Sequence, residues 1–195
     1  MAKVGLSKPY YALYTAEGES VTYASGALLG KFTELSIELE GGDSNILYAD
    51  DGPAESDKTF AGGTATITTD DLLAAVMLPV LGLKAEDIAD SVTTDAKWLV
   101  FDDEQEIPFV GIGGIIKKKV NNKNKWVGFV LDKVQFANPG VSAVTQGETI
   151  EWQTHTLTAD IMRSDKVKHP WFRMTSELDS ASEAEAAVKA YLSIT

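Results

Sequence analysis

The two histidines are the first residues to consider for catalysis or metal binding. His155 lies within an alternating, strand-like pattern, and His169 comes directly before Pro170. A transition-metal site needs three or four ligands at compatible spacing, and no third ligand accompanies this pair. The sequence therefore predicts no metal site.

Paired carboxylates are the second candidate for chemistry. They occur at three places, namely Asp50-Asp51, Asp70-Asp71 and Asp102-Asp103. A glycosidase requires two opposed carboxylates, but a chain with 29 acidic residues contains such pairs by composition alone. The spacing around Asp50 also lacks the alternating ligands of an EF-hand calcium loop. The only support for a hydrolase is therefore the abundance of carboxylates, and we predict no catalytic residue.

A glycine-rich run, Gly111–Gly114 (GIGG), resembles a phosphate-binding loop only superficially. It matches neither the P-loop nor the dinucleotide fingerprint, and the chain has no G-x-S-x-G nucleophile elbow. The run sits inside a strand pattern, where glycines mark a bulge, a bend or the close approach of another backbone. We interpret it as structural and predict no cofactor.

Basic residues cluster at one place. Lys117, Lys118 and Lys119 lie close to Trp126 along the chain, with further lysines between them. Two interpretations remain open. The cluster is either the solvated tip of a hairpin or a subunit contact that meets an acidic face of a second copy.

Composition limits the class of protein that could position these residues. The chain has 195 residues, no cysteine and a formal net charge of −12. The length favours a single domain that covers residues 1–195 and is large enough to bury a hydrophobic core. The missing cysteine excludes disulfides, thiol nucleophiles and thiolate metal sites. The negative charge argues against gripping a nucleic-acid backbone, although it allows nucleic acid to pass.

The charge is divided along the chain. Residues 1–110 contain 20 acids and 6 bases, whereas residues 111–195 contain 9 acids and 11 bases. A solubilising surface is one explanation. Complementarity between copies of the chain, or a surface that repels a polyanion, is the other.

Membrane and targeting signals are missing from the sequence. Its start lacks a secretory apolar stretch. The longest apolar run, Leu72–Leu83, contains Pro79 and falls short of the ~20 residues that span a bilayer. We therefore expect a soluble protein made in a cytoplasm, without a membrane partner.

Alternation of apolar and polar residues predicts the strands that position these groups. Thr33–Glu40 reads TELSIELE, which places its leucines and isoleucine on one face and its acids on the other. Further strand patterns cover Thr64–Thr68, Trp98–Phe101, Phe109–Lys117, Lys125–Phe136 and Gln146–Ile161. The turn Asn121–Asn124 predicts a hairpin. About eight strands indicate a mainly β (α+β) fold, a sandwich or barrel.

Two helices are expected to pack on this sheet. The first is a short helix through Leu72–Met77, capped by Asp70 or Asp71 and ended by Pro79 and Gly82. The second lies near the C-terminus, where apolar residues recur at helical spacing up to Leu192. Ser180 and Ser182, each followed three residues later by a glutamate, offer capping boxes for it.

The segment Gly41–Lys58 is far longer than a hairpin loop of ~2–5 residues. It contains the apolar run Ile46-Leu47-Tyr48, which a free loop would leave in water. We expect this long inter-strand loop to dock onto its own domain or onto a neighbouring subunit.

Several short runs resemble the major tail proteins of long-tailed bacteriophages, the phi13-type group. They are the opening MAKVGL with Tyr10-Tyr11-Ala12, Leu47–Glu55 (LYADDGPAE), Gly63–Thr68 (GTATIT), Asp70-Asp71-Leu72 and Gly147–Thr154 (GETIEWQT). The resemblance covers most of residues 1–160, and the tyrosine–acid run is its most specific part. Residues 176–195, a C-terminal extension that holds the second helix, match less clearly.

The resemblance implies a tail tube subunit. In that family a small β-sandwich forms hexameric rings with copies of itself, and the rings stack into a hollow tube whose inner sheets close into one barrel. It implies as partners the tape measure, tail terminator and tail initiator or baseplate proteins. Double-stranded DNA would pass through the tube without specific binding. The protein would be assembled in the host bacterial cytoplasm and reside in the virion tail.

Carried onto this chain, the resemblance assigns contacts between subunits or rings to the long loop, through Ile46, Leu47, Tyr48, Asp50 and Asp51. The lysines Lys117–Lys119 are expected to meet acids of a neighbouring copy.

An acidic bore would let DNA slide without adhering. The polar face of Thr33–Glu40 then predicts that Glu34, Glu38 and Glu40 line the channel.

A β-sandwich module that binds carbohydrate or a host surface is the alternative function. Its stacking platforms would be the four tryptophans, although core packing is the more common role of such residues: Trp98, Trp126, Trp152 and Trp171.

Overall fold

The computed structural model describes residues 2–41, 45–49, 52–57, 60–88, 97–141, 143, 145 and 153–195. Their elements, in chain order, are β1 (Ala2–Glu17), β2 (Ser20–Leu28), β3 (Phe32–Gly41), β4 (Asn45–Ala49), β5 (Gly52–Asp57), β6 (Phe60–Thr69), α1 (Ala74–Leu81), β7 (Lys84–Asp87), β8 (Lys97–Val100), β9 (Phe109–Val120), β10 (Lys123–Phe136), β11 (His155–Met162), β12 (Phe172–Met174) and α2 (Ala181–Tyr191). The predicted mainly β, α+β class is confirmed.

One antiparallel sheet dominates these elements. Its strand order is β2-β1-β9-β10-β11-β6-β3, and β12 pairs with β10 next to β11. The strands β4 and β5 form a separate hairpin, as do β7 and β8. The predicted strands Thr33–Glu40 and Thr64–Thr68 are therefore neighbours, since β3 pairs with β6 along its length.

Alternation in β6 produces the two faces of the sheet. Ala65, Ile67 and Thr69 are fully buried, whereas the threonines between them are half-buried. Because side chains alternate across a strand, a β-branched run with alanine and isoleucine on one side seals that side against a core. Opposite it, the threonines remain in contact with water.

The inward faces of β1, β3, β6, β9, β10 and β11 share one hydrophobic cluster, so the sheet curls around its core. Helix α1 contributes Val76, Val80 and Leu81 to the same cluster. It follows β6 directly, and the Asp70 N–H donates to the Lys31 carbonyl at 3.0 Å. The helix thus closes the end of the curled sheet at which β3 begins.

The limits of α1 differ from the prediction. Its N-cap is Leu73, without a side-chain cap, and Pro79 lies inside the helix instead of ending it. A proline inside a helix removes a hydrogen bond, and here the short helix continues for two more residues. Gly82, in the left-handed conformation, ends it by donating to the Leu78 carbonyl.

Two strand boundaries also differ from the prediction. The turn between β9 and β10 is only Asn121-Asn122, both with positive φ, and the next two residues pair with β9. Such a turn matches the twist of the flanking strands. In the range predicted as Gln146–Ile161, the strand begins only at His155. Positions 146–152 lie outside the described residues.

The long loop is not loop throughout. Within Gly41–Lys58, β4 and β5 pair from Asn45↔Asp57 to Ala49↔Gly52. Since β3 pairs with β6 up to Gly41↔Phe60, this hairpin continues the β3–β6 ribbon beyond the main sheet. The segment is a hairpin arm, because β-prone residues such as Ile46 and Tyr48 favour strand pairing.

Helix α2 covers the outer face of β1, β9 and β10. Its N-cap is Ser180, whose hydroxyl accepts from the Glu183 N–H at 3.2 Å, as predicted. A Cβ on Gly113 would lie 2.5 Å from Val188 Cγ1, and one on Gly128 would lie 2.9 Å from Val188 Cγ2. Gly113 and Gly128 therefore let the helix approach the sheet closely. Gly114 has a different reason, since its Cβ would lie 2.7 Å from Phe32 and 2.9 Å from Phe129.

Candidate functional site

The residues considered for chemistry are dispersed in the structure. The carboxylate of Asp70 accepts from the Lys31 and Asp71 N–H groups at 2.8 and 2.9 Å. These bonds, the Lys31 one first, lower the pKa of Asp70. Asp102 accepts from the ammonium of Lys84. The described residues contain no group of three His, Asp or Glu side chains placed to hold a metal ion. Asp50 and Asp51 lie outside the described residues.

A buried ionic cluster beneath α2 has the residue types of an active site. At its centre Asp132 is fully buried, and Arg173 Nε lies 3.0 Å from both of its carboxylate oxygens. Tyr191 donates to the same carboxylate, and the Tyr23 hydroxyl donates to the Asp132 main-chain carbonyl at 2.8 Å. Burial raises the pKa of both tyrosines, which keeps them neutral donors.

The cluster extends through two lysines. Lys166 Nζ donates to the Tyr191 hydroxyl at 2.6 Å, and burial lowers its pKa. Lys133 pairs with Asp165 at 2.8 Å, and this bond, with a second one from Tyr14, lowers the pKa of Asp165.

These bonds join β1, β2, β10, β12, α2 and the segment that follows β11. In the described part of the chain, no buried side-chain nitrogen or oxygen lacks a hydrogen-bond partner. A buried carboxylate that is fully paired holds surrounding elements in place, and breaking such a pair is costly. We therefore assign the cluster the role of fastening α2 to the sheet.

The uncovered part of the same sheet has a different composition. Its outward positions form what we call the threonine–acid face: Glu34, Ser36, Glu38 and Glu40 of β3, Thr64, Thr66 and Thr68 of β6, and Thr156, Thr158 and Asp160 of β11. Directly paired residues share a face, as Thr66 does with both Ser36 and Thr158. The face carries four carboxylates and no basic residue, and the predicted channel residues Glu34, Glu38 and Glu40 are exposed on it.

The threonine–acid face ends at a free edge. Among the described strands, β3 pairs only with β6, although β3 is ten residues long. A long unpaired edge is a template for pairing with another chain. At the opposite end of the sheet, β2 pairs only with β1 in the described structure.

The predicted lysines lie at the tip of the β9–β10 hairpin, on alternating faces. Lys117 Nζ sits 5.8 Å from the centre of the Trp126 ring, and Lys119 is exposed. Lys118 is registered against Lys3 of β1 and against Lys125 of β10. Only Lys125 has an ion-pair partner in this group, Asp179, within the part of the chain described. The tip is thus strongly basic.

The tryptophans differ in exposure. Trp98, on β8, is 61% exposed. Trp126 is half-buried, and its main chain exchanges hydrogen bonds with Leu178. Trp171 stacks on Phe60 with ring centres 4.3 Å apart. Trp152 lies outside the described residues, as do the side chains of Ile46, Leu47 and Tyr48.

The Asp132 cluster was not predicted from the sequence, although a signal for it exists. Val127–Val134 reads VGFVLDKV, so an acid and a lysine interrupt an otherwise apolar strand. A charge at such a position is buried only when it is paired. The sequence could therefore have predicted a partner for Asp132, but not which residue it would be.

No protein-family model matches this chain, and no curated protein matches it either. Among the described residues, no helix has the length and apolar character needed to cross a membrane.

Proposed function

We propose that this protein is a structural subunit that assembles with copies of itself into stacked rings, forming the tail tube of a long-tailed bacteriophage. The tube would conduct double-stranded DNA during ejection. The observation that carries the proposal is the threonine–acid face beside the free edge of β3. The sequence resemblance described above supports the same function.

The chemistry of the face suits a surface that DNA must pass. Threonine is β-branched and stabilises a strand, yet it presents a hydroxyl instead of an apolar surface. Four carboxylates without a basic residue repel phosphates within a Debye length of ~10 Å. Affinity for the DNA backbone comes from cations, and this face has none.

The free edges support assembly by strand pairing. When β3 pairs with a strand of a second copy, its unpaired N–H and C=O groups are satisfied, and the threonine–acid face continues across the subunit boundary. A closed ring of such contacts leaves no edge exposed. Glu34, Glu38 and Glu40 would then face the channel.

Two further parts of the chain are proposed to contact neighbouring copies. The first is the β4–β5 hairpin, with Ile46, Leu47, Tyr48, Asp50 and Asp51. The second is the basic tip with Lys117, Lys118 and Lys119. The tape measure, terminator and initiator proteins would be the other partners, and the virion tail would be the location.

Assembly is tested on the purified full-length chain by negative-stain electron microscopy and sedimentation velocity. We expect rings or tubes to form as the concentration rises. A strict monomer at high concentration, which also fails to polymerise on tail initiator components, would contradict the proposal.

The channel assignment needs a separate experiment. Changing Glu34, Glu38 and Glu40 together to Lys should make assembled tubes retain DNA in a filter assay, with retention lost at high salt. The matched control changes three exposed acids elsewhere to Lys, namely Glu17 and Glu19 at the β1–β2 turn and Glu86 of β7, which alters the net charge by the same amount. Equal DNA retention by both variants would show that net charge, and not the threonine–acid face, decides the result.

One observation favours the alternative, a carbohydrate-binding module. Trp98 is exposed on the small β7–β8 hairpin, where an aromatic ring could stack on a sugar. Glycan-array binding that Trp98→Ala abolishes, in a protein that stays monomeric, would favour this function over a tube subunit.

A further inference from the structure

The curled sheet is closed at one end by α1 and open at the other. At the open end lies an apolar groove of about 630 Å³, which we call the open-end groove. Phe129, Trp171 and Phe172 line it, together with the core-facing side of β3 and the first residues of β1. Leu39 and Met174, at its rim, are 51% and 46% exposed. A concave, mainly apolar surface of this volume is typical of a binding site.

Both strands beside the groove have an unsatisfied edge in the described structure. The pairing of β1 with β2 begins only at Tyr10, so residues 2–7 pair with β9 on one side alone. On the other side of the groove, β3 pairs only with β6. A β-segment that entered the groove would therefore find main-chain partners along residues 2–7 of β1 as well as apolar contacts, the two components of strand addition. The edge of β3 would stay available for pairing within a ring.

The charges at the groove indicate the chemistry of its occupant. Lys3 lines it and is registered against Lys118, which places both lysines on the same side of the sheet. Glu34, which its pairing with Thr68 places on the threonine–acid face, is the one described acid that borders the groove, at the edge of β3. Lys118 belongs to the basic tip and Lys3 lies beside it on β1. The complementary occupant is therefore a segment with an apolar strand and flanking carboxylates.

One segment of this chain has that chemistry. The β4–β5 hairpin (Asn45–Asp57) is β-structured, and it contains Ile46-Leu47-Tyr48 together with Asp50, Asp51, Glu55 and Asp57. It contains no basic residue. We infer that the open-end groove receives the β4–β5 hairpin of a second copy, with its apolar residues in the groove and its acids beside Lys3 and Lys118.

This inference rests on the proposed function and identifies one of its contacts. A hairpin that leaves one copy and enters a groove of the next is a head-to-tail contact. Such contacts propagate until they close or form a filament, as stacked rings require. The contact is distinct from edge pairing of β3 within a ring.

The absence of cysteine from the chain allows a clean test by disulfide formation. Leu39→Cys labels the groove, and Leu47→Cys and Tyr48→Cys label the two faces of β4, since successive side chains alternate. Each hairpin variant is mixed with Leu39→Cys and oxidised with diamide. We expect a disulfide-linked heterodimer with one of the two hairpin variants. Val167→Cys, which is 63% exposed outside the groove, is the control and should give none.

Several results would overturn the inference. One is that neither hairpin variant forms a disulfide-linked heterodimer with Leu39→Cys. Another is a Leu39→Cys homodimer as the main product, which would indicate that the groove of one copy faces the groove of another. A third is an intramolecular disulfide in a diluted Leu39→Cys/Leu47→Cys double variant, which would mean that the hairpin occupies its own groove.

A complementation experiment measures the contact without cross-linking. A variant with residues 45–57 replaced by a short Gly-Ser linker keeps its groove, and Leu39→Glu/Met174→Glu keeps its hairpin. Neither should stack alone, and their mixture should form heterodimers in sedimentation velocity. Val167→Glu should assemble like the wild type. Heterodimers that fail to form from two folded variants would count against the inference.

The two proposals fail in different ways. Wild-type rings or tubes without the heterodimer would leave the tube subunit standing and remove the groove contact. A heterodimer between the cysteine variants, together with a wild-type protein that never forms rings, would support the groove contact and contradict the tube.

Discussion

The outer face of the main sheet is divided into two regions. Both follow the same alternation of side chains, but one is covered by a helix and the other is exposed. Over β1, β9 and β10 the outward residues include glycines and tyrosines, and helix α2 covers them. Over β3, β6 and β11 they are threonines and acids, and no described element covers them. The difference shows that residue size and polarity at alternate positions decide whether a sheet face is covered by a helix of its own chain or stays exposed.

The covered region depends most strongly on the Asp132 cluster. In Arg173→Ala, the fully buried carboxylate of Asp132 loses its cation. We expect the free energy of unfolding to fall by about 3–5 kcal/mol, the usual cost of removing one partner of a buried pair. Urea denaturation measures it. Arg163→Ala, whose side chain lies at the exposed end of β11, is the control and should change stability by less than about 1 kcal/mol. Equal effects would mean that the cluster does not fasten α2.

Close approach of α2 to the sheet is the next largest contribution. In Gly113→Ala the new Cβ would lie 2.5 Å from Val188 Cγ1, and overpacking of this kind costs about 1–3 kcal/mol. The control is Gly62→Ala on the uncovered region, where the nearest atom, Glu40 Oε2, would lie at 3.6 Å. We expect no loss of stability there. Thermal denaturation of both variants separates the regions, and a tolerated Gly113→Ala would contradict the packing of α2.

The same two regions show what the sequence could and could not predict. Alternation in Thr33–Glu40 and Thr64–Thr68 is local, so their strands and polar face were predictable. The GIGG run indicated a bulge, a bend or the close approach of another backbone, without deciding among them, because α2 is distant in sequence and its position depends on tertiary packing. The groove was not predicted, because Lys3 of β1 and Leu39 of β3 are distant in sequence and line the same groove only as a result of the strand order. The predictions that Pro79 ends α1 and that Gly41–Lys58 is a loop were wrong. Local propensity is only a weak guide to where a helix ends or whether a short segment pairs as strands.

Acid pH should distinguish the regions as well. Tyr10 donates to Glu185 of α2, and this bond, with the nearby Lys8, lowers the pKa of Glu185. Its contribution is present above the unfolded pKa of ~4.3 and is lost as the pH falls through the lower folded value. Glu185→Gln should therefore reduce the acid dependence of stability, measured as urea midpoints between pH 3 and pH 6. Glu38→Gln on the uncovered region is the control, and an equal reduction by both would contradict the assignment.

Alkaline pH acts through the other partner of that bond. Burial and the contact with Glu185 raise the pKa of Tyr10 to about 12. Because the folded pKa lies above the unfolded value of ~10, the contribution is complete below pH ~10 and is lost as the pH rises towards 12. Tyr10→Phe should flatten this alkaline decline in stability. An unchanged decline would assign it to Tyr23 and Tyr191, whose pKa values burial also raises.

The smallest effects on stability are expected on the threonine–acid face. Thr66→Val keeps the β-branched shape and removes only a hydroxyl that faces water, so the free energy of unfolding should stay within about 0.5 kcal/mol. Glu34→Gln and Glu38→Gln should do the same. A loss above about 1 kcal/mol in the monomer would mean that the face is part of the fold, as the covered region is. If the stability of Thr66→Val is unchanged but its tubes stack poorly or carry DNA poorly, the polar residues of this face act in assembly or DNA passage and not in folding. A face that contributes little to its own fold can then be explained only by what passes or binds there.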